Sequence, residues 1–250
     1  MQRVIPLLAA LLVAISNPAP AGTRSEVTFR GVEYDLYRCD PGELRIFWKD
    51  ANGTRYGQFS RLHEAMKQQG AALVFALNAG IFKLDQDDYS PCGLHIEDGR
   101  LLVPLNEEDG AGNFYLKPNG VFCVTDDGAR IFETGEFAAT GIKPRLALQS
   151  GPLLLRDNRI HPKFDPNSLS RLHRNGVGIA NDGSVIFAMT KFRDGNRVNL
   201  HDFAELFRHL GCRDALFLDG DISMMWTPED GPAPAGNHFA AILGIIEPAE

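Results

Sequence analysis

The stretch NLHDFAELFRHLGCRDALFLDG, residues 199–220, carries the pattern that decides the fold. Leu200, Phe203, Ala204, Phe207 and Leu210 recur at helical spacing and make one apolar stripe. Asn199 is placed to cap the free amides of the first turn, Asp202 lies near the positive helix end, and Gly211 ends the helix. A few residues later Ala215-Leu216-Phe217-Leu218 reads as a buried strand, closed by the polar loop at Asp219-Gly220. The same order occurs upstream over 60–80. There Ser60 is the expected cap, Leu62, Ala65 and Met66 face inward, and Gly70 is the stop. Ala72 to Leu77 is the buried strand, and Asn78-Ala79-Gly80 is the loop at its exit. Two strands that each end in a polar, glycine-bearing loop mark where chemistry is expected.

Working outward, short alternating or apolar runs bounded by turn residues recur along the chain. They include Val32 to Tyr37, Leu44 to Trp48, Leu94 to Ile96, Leu101 to Val103 and Val121 to Val124. Further runs are Ala129 to Phe132, Arg145 to Leu148, Leu153 to Leu155, Val177 to Ala180, Val185 to Thr190 and Phe239 to Ile246. The pairs Asp98-Gly99, Asp127-Gly128 and Asp182-Gly183 sit between such runs and tolerate the positive φ of a tight hairpin. The pattern predicts an α+β fold: a single domain with a large mixed, mostly antiparallel sheet and few helices. No internal repeat, low-complexity tract or linker divides it.

With 44% hydrophobic and 23% charged residues, the chain has a globular composition, not a disordered one. Its 25 Lys and Arg against 32 Asp and Glu exclude a phosphate-backbone footprint, so no nucleic-acid partner is expected. The first 21 residues read as a signal peptide: Arg3, an apolar run from Val4 to Ile15, then Ala19-Pro20-Ala21. The run is short of the roughly 20 apolar residues of a membrane span. Residues 22–250 are therefore expected to form one exported domain, periplasmic or secreted, without a stable membrane span. Export permits disulfides among Cys39, Cys92, Cys123 and Cys212, whose spacing leaves all three pairings open and excludes a C-x-x-C motif.

Five loops hold the candidate site residues. Asn78 offers both donor and acceptor, and Gly80 allows close backbone approach to a ligand. Ser150-Gly151 lies in Gln149-Ser150-Gly151-Pro152, which lacks the G-x-S-x-G pattern of a nucleophile elbow, so Ser150 is read as a donor or turn former. The cluster from Arg171 to Gly176 concentrates cations in an acidic protein, with Arg174 and Asn175 nearest the following strand. Asp219 is a carboxylate at the end of a buried strand, an unfavourable position unless it is paired or used, with Gly220 and Ser223 beside it. Asn119-Gly120 reads as a turn before a strand.

In this order the segments NAGIF at 78–82, SGP at 150–152, RNGVGIANDG at 174–183 and the helix–strand–LDG unit at 199–220 resemble the phosphodiester glycosidase family. The resemblance runs from about Asn78 to Ile246 and reaches toward Val27. PCGLHIEDGRL at 91–101 and NFYLKPNGVF at 113–122 place the chain nearest the exported bacterial branch. Ala79 and Asp221 stand where that pattern usually has glycine, and Ser223 matches the serine of the loop.

The resemblance implies a hydrolase that cleaves the bond between sugar C1 and a phosphate oxygen, in a sugar phosphodiester or an envelope glycan. Such a reaction needs an anionic group near C1 and donors around the departing phosphate. Asp219 and Arg174 are the expected catalytic pair, and Asn78, Gly80, Ser150, Gly151, Asn175, Gly220 and Ser223 the expected substrate-binding set. No cofactor and no metal ligand are assigned. Two rival readings stand beside this one. Asp85, Asp87, Asp88, Asp219 and Asp221 are acidic enough to suggest a metal-dependent hydrolase or a calcium site, although 85–88 lacks a known calcium-loop spacing. A periplasmic glycan or cell-envelope binding protein without turnover is the other.

Overall fold

In the computed structural model, which describes residues 22–83 and 89–249, the apolar runs form sixteen strands and three α-helices. The signal segment 1–21 and the acidic run Asp85, Asp87 and Asp88 lie outside the described residues. The first sheet has seven strands in the order β1 (Thr23–Phe29), β2 (Val32–Cys39), β13 (Val185–Thr190), β12 (Asn175–Ala180), β14 (Cys212–Asp219), β10 (Leu153–Arg156) and β11 (Arg159–Ile160). The second has four: β15 (Met225–Trp226), β4 (Ala71–Ala79), β16 (Ala241–Pro248) and β3 (Leu44–Phe47). The third has five: β6 (Arg100–Val103), β5 (His95–Glu97), β9 (Leu146–Ser150), β7 (Gly120–Thr125) and β8 (Gly128–Glu133). All of these pairings are antiparallel. The α+β class holds, with the strands shared among three sheets.

One core joins the sheets. Val177, Phe187 and Leu216 from the first, Phe75, Leu77 and Leu243 from the second, and Phe122, Leu146 and Leu148 from the third pack into a single buried cluster. Helices cover the outer faces of two sheets. Helix α3 (Leu200–His209) buries Phe203 and Phe207 against Leu36, Leu155 and Phe217 of the first sheet. Helix α1 (Phe59–Gln68) buries Phe59, Leu62 and Met66 against Leu73, Trp226 and Ile242 beside the second. Strands β4 and β14 are thus buried on both faces, which is why their sequences are continuous apolar runs and not alternating ones. No helix among the described residues is long and apolar enough to cross a membrane.

Local chemistry explains the boundaries. The Asn199 side chain accepts from the Asp202 amide and caps α3, and Gly211 beyond its end has φ +79°. Asp98 and Gly99 both take the positive φ their hairpin requires, at 46° and 73°. Helix α1 differs from the expectation: its cap is Gln58, two residues before the expected Ser60, which sits inside the helix with its amide donating to the Pro234 carbonyl. Helix α2 (Thr134–Thr140) was not expected. Its cap is Glu133, which accepts from the Gly135 and Glu136 amides, while the Glu136 carboxylate returns to the Glu133 amide. Glutamate is outside the usual capping set, so the pattern gives no start signal. No disulfide is formed among the described residues. All four cysteines are buried, and burial pushes the thiols of Cys123 and Cys212 up to about 12.

Helix α3 lies close on the first sheet because β12 carries glycine on its outer face. A Cβ at Gly176 would stand 2.9 Å from the Leu216 carbonyl, and one at Gly178 would stand 2.6 Å from the Phe207 ring and 2.7 Å from Cys212 Sγ. Gly178→Ala should therefore cost about 1–3 kcal/mol through overpacking. Urea denaturation should show a lower midpoint with an unchanged slope; an unchanged midpoint would mean α3 can retreat freely.

Candidate active site

The three sheets bring the ends of β4, β9, β12 and β14 together at one end of the shared core. Each strand delivers a polar side chain there: Asn78, Ser150, Asn175 and Asp219. Asn78 is the hub. Its Oδ1 accepts from the Met224 amide at 2.8 Å and from Asn175 Nδ2 at 2.9 Å, and its Nδ2 donates to Asp219 Oδ2 at 2.7 Å. Asn175 Nδ2 also donates to the Asn78 carbonyl at 3.0 Å, and Asn175 stands opposite Asp219 in the β12–β14 ladder. Ser150 Oγ reaches from the third sheet to the Leu218 carbonyl of the first at 3.2 Å. All four residues lie over apolar core, and Asn78, Ser150 and Asn175 are buried.

Asp219 is the titratable centre. Its Oδ1 accepts from the Gly220 amide at 2.7 Å and its Oδ2 from Asn78. Burial pushes its carboxyl up to about 7, against the downward pull of those two hydrogen bonds. The turn beyond it is fixed by Ser223, whose Oγ donates to the Gly220 carbonyl at 2.6 Å while its amide donates to the same oxygen. Gly220 leaves its side open: the nearest atom a Cβ would meet is the His173 carbonyl at 3.8 Å. Asp221 points to the neighbouring loop, where its Oδ1 accepts from the His173 amide at 3.0 Å.

Arg174 lies beside this group, in the layer between the first sheet and α3. Its Nε donates to the Val198 carbonyl at 2.9 Å and its Nη2 to the Ser170 carbonyl at 3.2 Å, with the guanidinium 5.5 Å from the Phe217 ring centroid. Its Nη1 is buried without a hydrogen-bond partner, and no carboxylate ion-pairs with it among the described residues. Burial pushes its pKa down to about 10, opposed by the charge of Asp221. Arg171, by contrast, is exposed and pairs with Asp202 of α3 at 3.4 Å.

The glycines divide. Gly80 has φ +81° and sits against β9, 3.9 Å from the Gln149 carbonyl to a would-be Cβ. At Gly151 a Cβ would be 2.7 Å from both Asn119 Cβ and the Phe114 carbonyl, so packing alone requires glycine. Asn119 is structural as well: its Nδ2 donates to Phe114 O and its Oδ1 accepts from Thr134.

Sequence reasoning missed Thr190, whose Oγ1 accepts from the Arg174 amide, and the loop 192–197, which faces His173 across a cleft. The interleaving of cations with Phe192 in KFRDGNR was the available signal. Among the described residues no group of three or more His, Cys, Asp or Glu side chains is placed to hold a metal ion.

Comparison with known proteins places this geometry in context. The profile of a family described as phosphodiester glycosidase matches residues 71–241. An uncharacterized Escherichia coli (strain K12) protein, YigE, is 36% identical over 184 residues, 73% of this chain and 69% of that one. The catalytic domain of zebrafish N-acetylglucosamine-1-phosphodiester alpha-N-acetylglucosaminidase, auto-inhibited by its pro-peptide, superposes with a TM-score of 0.62 at 16% identity, over 90% of this chain and 81% of that one. A hypothetical protein from Synechocystis superposes with a TM-score of 0.55 at 14% identity, over 90% and 61%. At these identities the superpositions show a shared fold.

The position of Asp219 has a stability consequence. Its folded pKa of about 7 stands above the roughly 3.9 of an unfolded aspartate, so folding favours the protonated form. That contribution is complete below about pH 4 and is lost as pH rises through about 7. Asp219→Asn removes the dependence, so the Tm of the variant relative to the native chain should grow from about pH 4 to about pH 8. A difference that stays flat over this range would show that the carboxylate is not desolvated.

Proposed function

The chain belongs to the phosphodiester glycosidase family, and we propose that it is an exported hydrolase that cleaves the bond between sugar C1 and a phosphate oxygen. The observation that carries this reading is the Asp219 carboxyl, desolvated and oriented by Asn78 at the end where all three sheets meet. The name of the zebrafish relative gives an N-acetylglucosamine-1-phosphodiester as the substrate of that enzyme. For this chain the reading extends to sugar phosphodiesters or envelope glycans as a class. Residues 22–250 then act as one phosphodiester glycosidase domain, released by removal of the segment 1–21, whose basic start, apolar centre and A-x-A end support export.

The chemistry assigns the work among the residues. A phosphate monoester has a second pKa of roughly 6 and departs from C1 without strong acid assistance. What must be supplied is an anion near C1 to stabilise the developing oxocarbenium and either attack it or activate water. The ionised form of Asp219 is suited to that role, and its pKa keeps about half of it ionised near neutrality. Asn78 is the positioning residue for this carboxylate, and Asn175 in turn fixes Asn78. Arg174 contributes a buried positive charge without a carboxylate partner, which favours an anionic substrate at this end of the core. The open side of Gly220 and the turn held by Ser223 leave room for the substrate beside Asp219. Ser150 and Gly151 shape the floor, since their polar and steric capacity is taken up within the protein, and Gly80 turns the chain beside them with φ +81°.

The purified protein lacking residues 1–21 should hydrolyse members of a panel of α-linked sugar-1-phosphodiesters. Asp219→Asn should lower kcat by about 10³-fold or more. In the native chain kcat/KM should rise with pH to a plateau with an apparent pKa near 7, because the working form is the carboxylate. Binding of glycans without turnover across the panel would replace this reading with that of a binding protein. Loss of turnover on chelation, restored by calcium, would replace it with a metal-dependent one.

A further inference from the structure

Strand β14 is bulged where it enters the site. Gly176 stands opposite Phe217 in the β12–β14 ladder, yet its neighbour Asn175 stands opposite Asp219, so Leu218 is an extra residue on β14. Ser150 Oγ donates to the carbonyl of that extra residue at 3.2 Å. The bulge sets Asn175 and Asp219 directly across from each other, which in an antiparallel pair puts both side chains on one face. Asn78 then ties them to opposite ends of one carboxamide. Its Oδ1 accepts from Asn175 Nδ2 at 2.9 Å, and its Nδ2 donates to Asp219 Oδ2 at 2.7 Å. Asn175 Nδ2 donates as well to the Asn78 carbonyl at 3.0 Å, so a flip of the Asn175 amide would set its oxygen against two others. Asn175 Oδ1 is thereby fixed away from Asn78, buried and without a donor among the described residues. Asp219 accepts one bond at each oxygen, from Gly220 and from Asn78, and each oxygen keeps a lone pair.

Two neighbouring acceptors, one of them an anion, are the complement of a molecule with two hydrogens on one oxygen. Water there gives one hydrogen to each acceptor and turns a lone pair outward. Among the described residues no second carboxylate bonds to this group, since Asp221 is turned to the His173 amide at 3.0 Å. A two-step path through a covalent sugar–enzyme intermediate needs a base besides the nucleophilic carboxylate, to activate the water of the second step. A one-step path needs a base alone, because the phosphate departs without strong acid assistance. We propose that Asn175 Oδ1 and Asp219 hold the attacking water between them, and that the reaction inverts the configuration at C1. The proposal rests on the hydrolase reading and decides the role that reading leaves open for Asp219. The water oxygen bonds to C1 on the face opposite the phosphate while the C1–O bond breaks, its electron pair leaving on the phosphate oxygen. One water proton passes to the Asp219 carboxylate. The other stays on the new C1 hydroxyl, which donates to Asn175 Oδ1. Asp219 then releases its proton to solvent. Asn175 thus touches the reacting water as well as supporting Asn78.

Proton NMR of the early reaction on methyl α-N-acetylglucosaminyl phosphate, or on the best α-linked substrate of the panel, reads the configuration. The free sugar should appear first as the β anomer and only later mutarotate. This measurement uses the native chain and needs no variant to fold. Asn175→Ala, shown to be folded by its far-ultraviolet spectrum and Tm, should lower kcat about tenfold or more. It should also change the product in aqueous methanol. Methanol has one hydroxyl hydrogen, which Asp219 takes, and the variant leaves room for its methyl group where the Asn175 amide stood. The ratio of β-methyl glycoside to free sugar should therefore rise about tenfold or more over the native chain. A merely structural role for Asn175 would slow both products alike and leave that ratio unchanged. Three results would overturn the proposal and keep the hydrolase reading: the α anomer appearing first, a covalent sugar adduct on Asp219 in mass spectra with a 2-deoxy-2-fluoro substrate, or an unchanged ratio in Asn175→Ala. Absence of turnover on every diester removes both.

Discussion

The carboxamide of Asn78 is the interaction on which the rest of the site depends. It belongs to the second sheet, accepts from the Met224 amide and from Asn175 of the first sheet, and donates to Asp219. A neutral side chain with two donor hydrogens and an acceptor oxygen is what this junction needs. A carboxylate could not donate to Asp219, and an apolar residue would leave the Met224 amide and Asn175 without partners. The same three bonds that close the core end also hold a carboxyl group in a place where water reaches it poorly. Sheet junction and chemistry therefore share one side chain, and neither can be altered alone.

Two groups in and beside this network have incomplete partners. Arg174 is buried with two carbonyl acceptors and no counter-charge, and Asn175 Oδ1 has no donor among the described residues. Such placements oppose folding. They are tolerated where a strongly packed frame surrounds them, and here the frame is the joint core of three sheets with α3 pressed against β12. The acidic overall charge makes the arrangement more telling, because Arg174 is the one Lys or Arg buried among the described residues.

Much of this was readable from the residues. The apolar runs located thirteen of the strands, because burial on one or both faces leaves a pattern of period two or an unbroken run. Strand β1 escaped because it is a half-exposed edge paired only with β2, and β11 and β15 because two residues each carry no periodicity. The site was legible as separate loops: Asn78, Ser150 and Asp219 each follow a strand that reads as buried. Their meeting was not legible, since it depends on which sheet each strand joins, a long-range choice that local pattern does not encode. Nor was the direction of Arg174. One residue before β12 begins at Asn175, its side chain turns toward Val198 and Ser170, a direction set by the tertiary packing and not by the local pattern.

The order of strands in the second sheet sets a clock on assembly. Strand β16, the last in the chain, lies between β4 and β3, both from the first third of the sequence. Those two early strands have no partner in that sheet until β15 and β16, about 150 residues or more downstream, are available. The Asn78–Asp219 bond likewise spans 141 positions. Contacts so distant along the chain place the closure of this sheet late in the growth of the chain. The second sheet accordingly stays open on both sides of β16 until that strand arrives, and the turn it closes is among the last parts of the fold to be set.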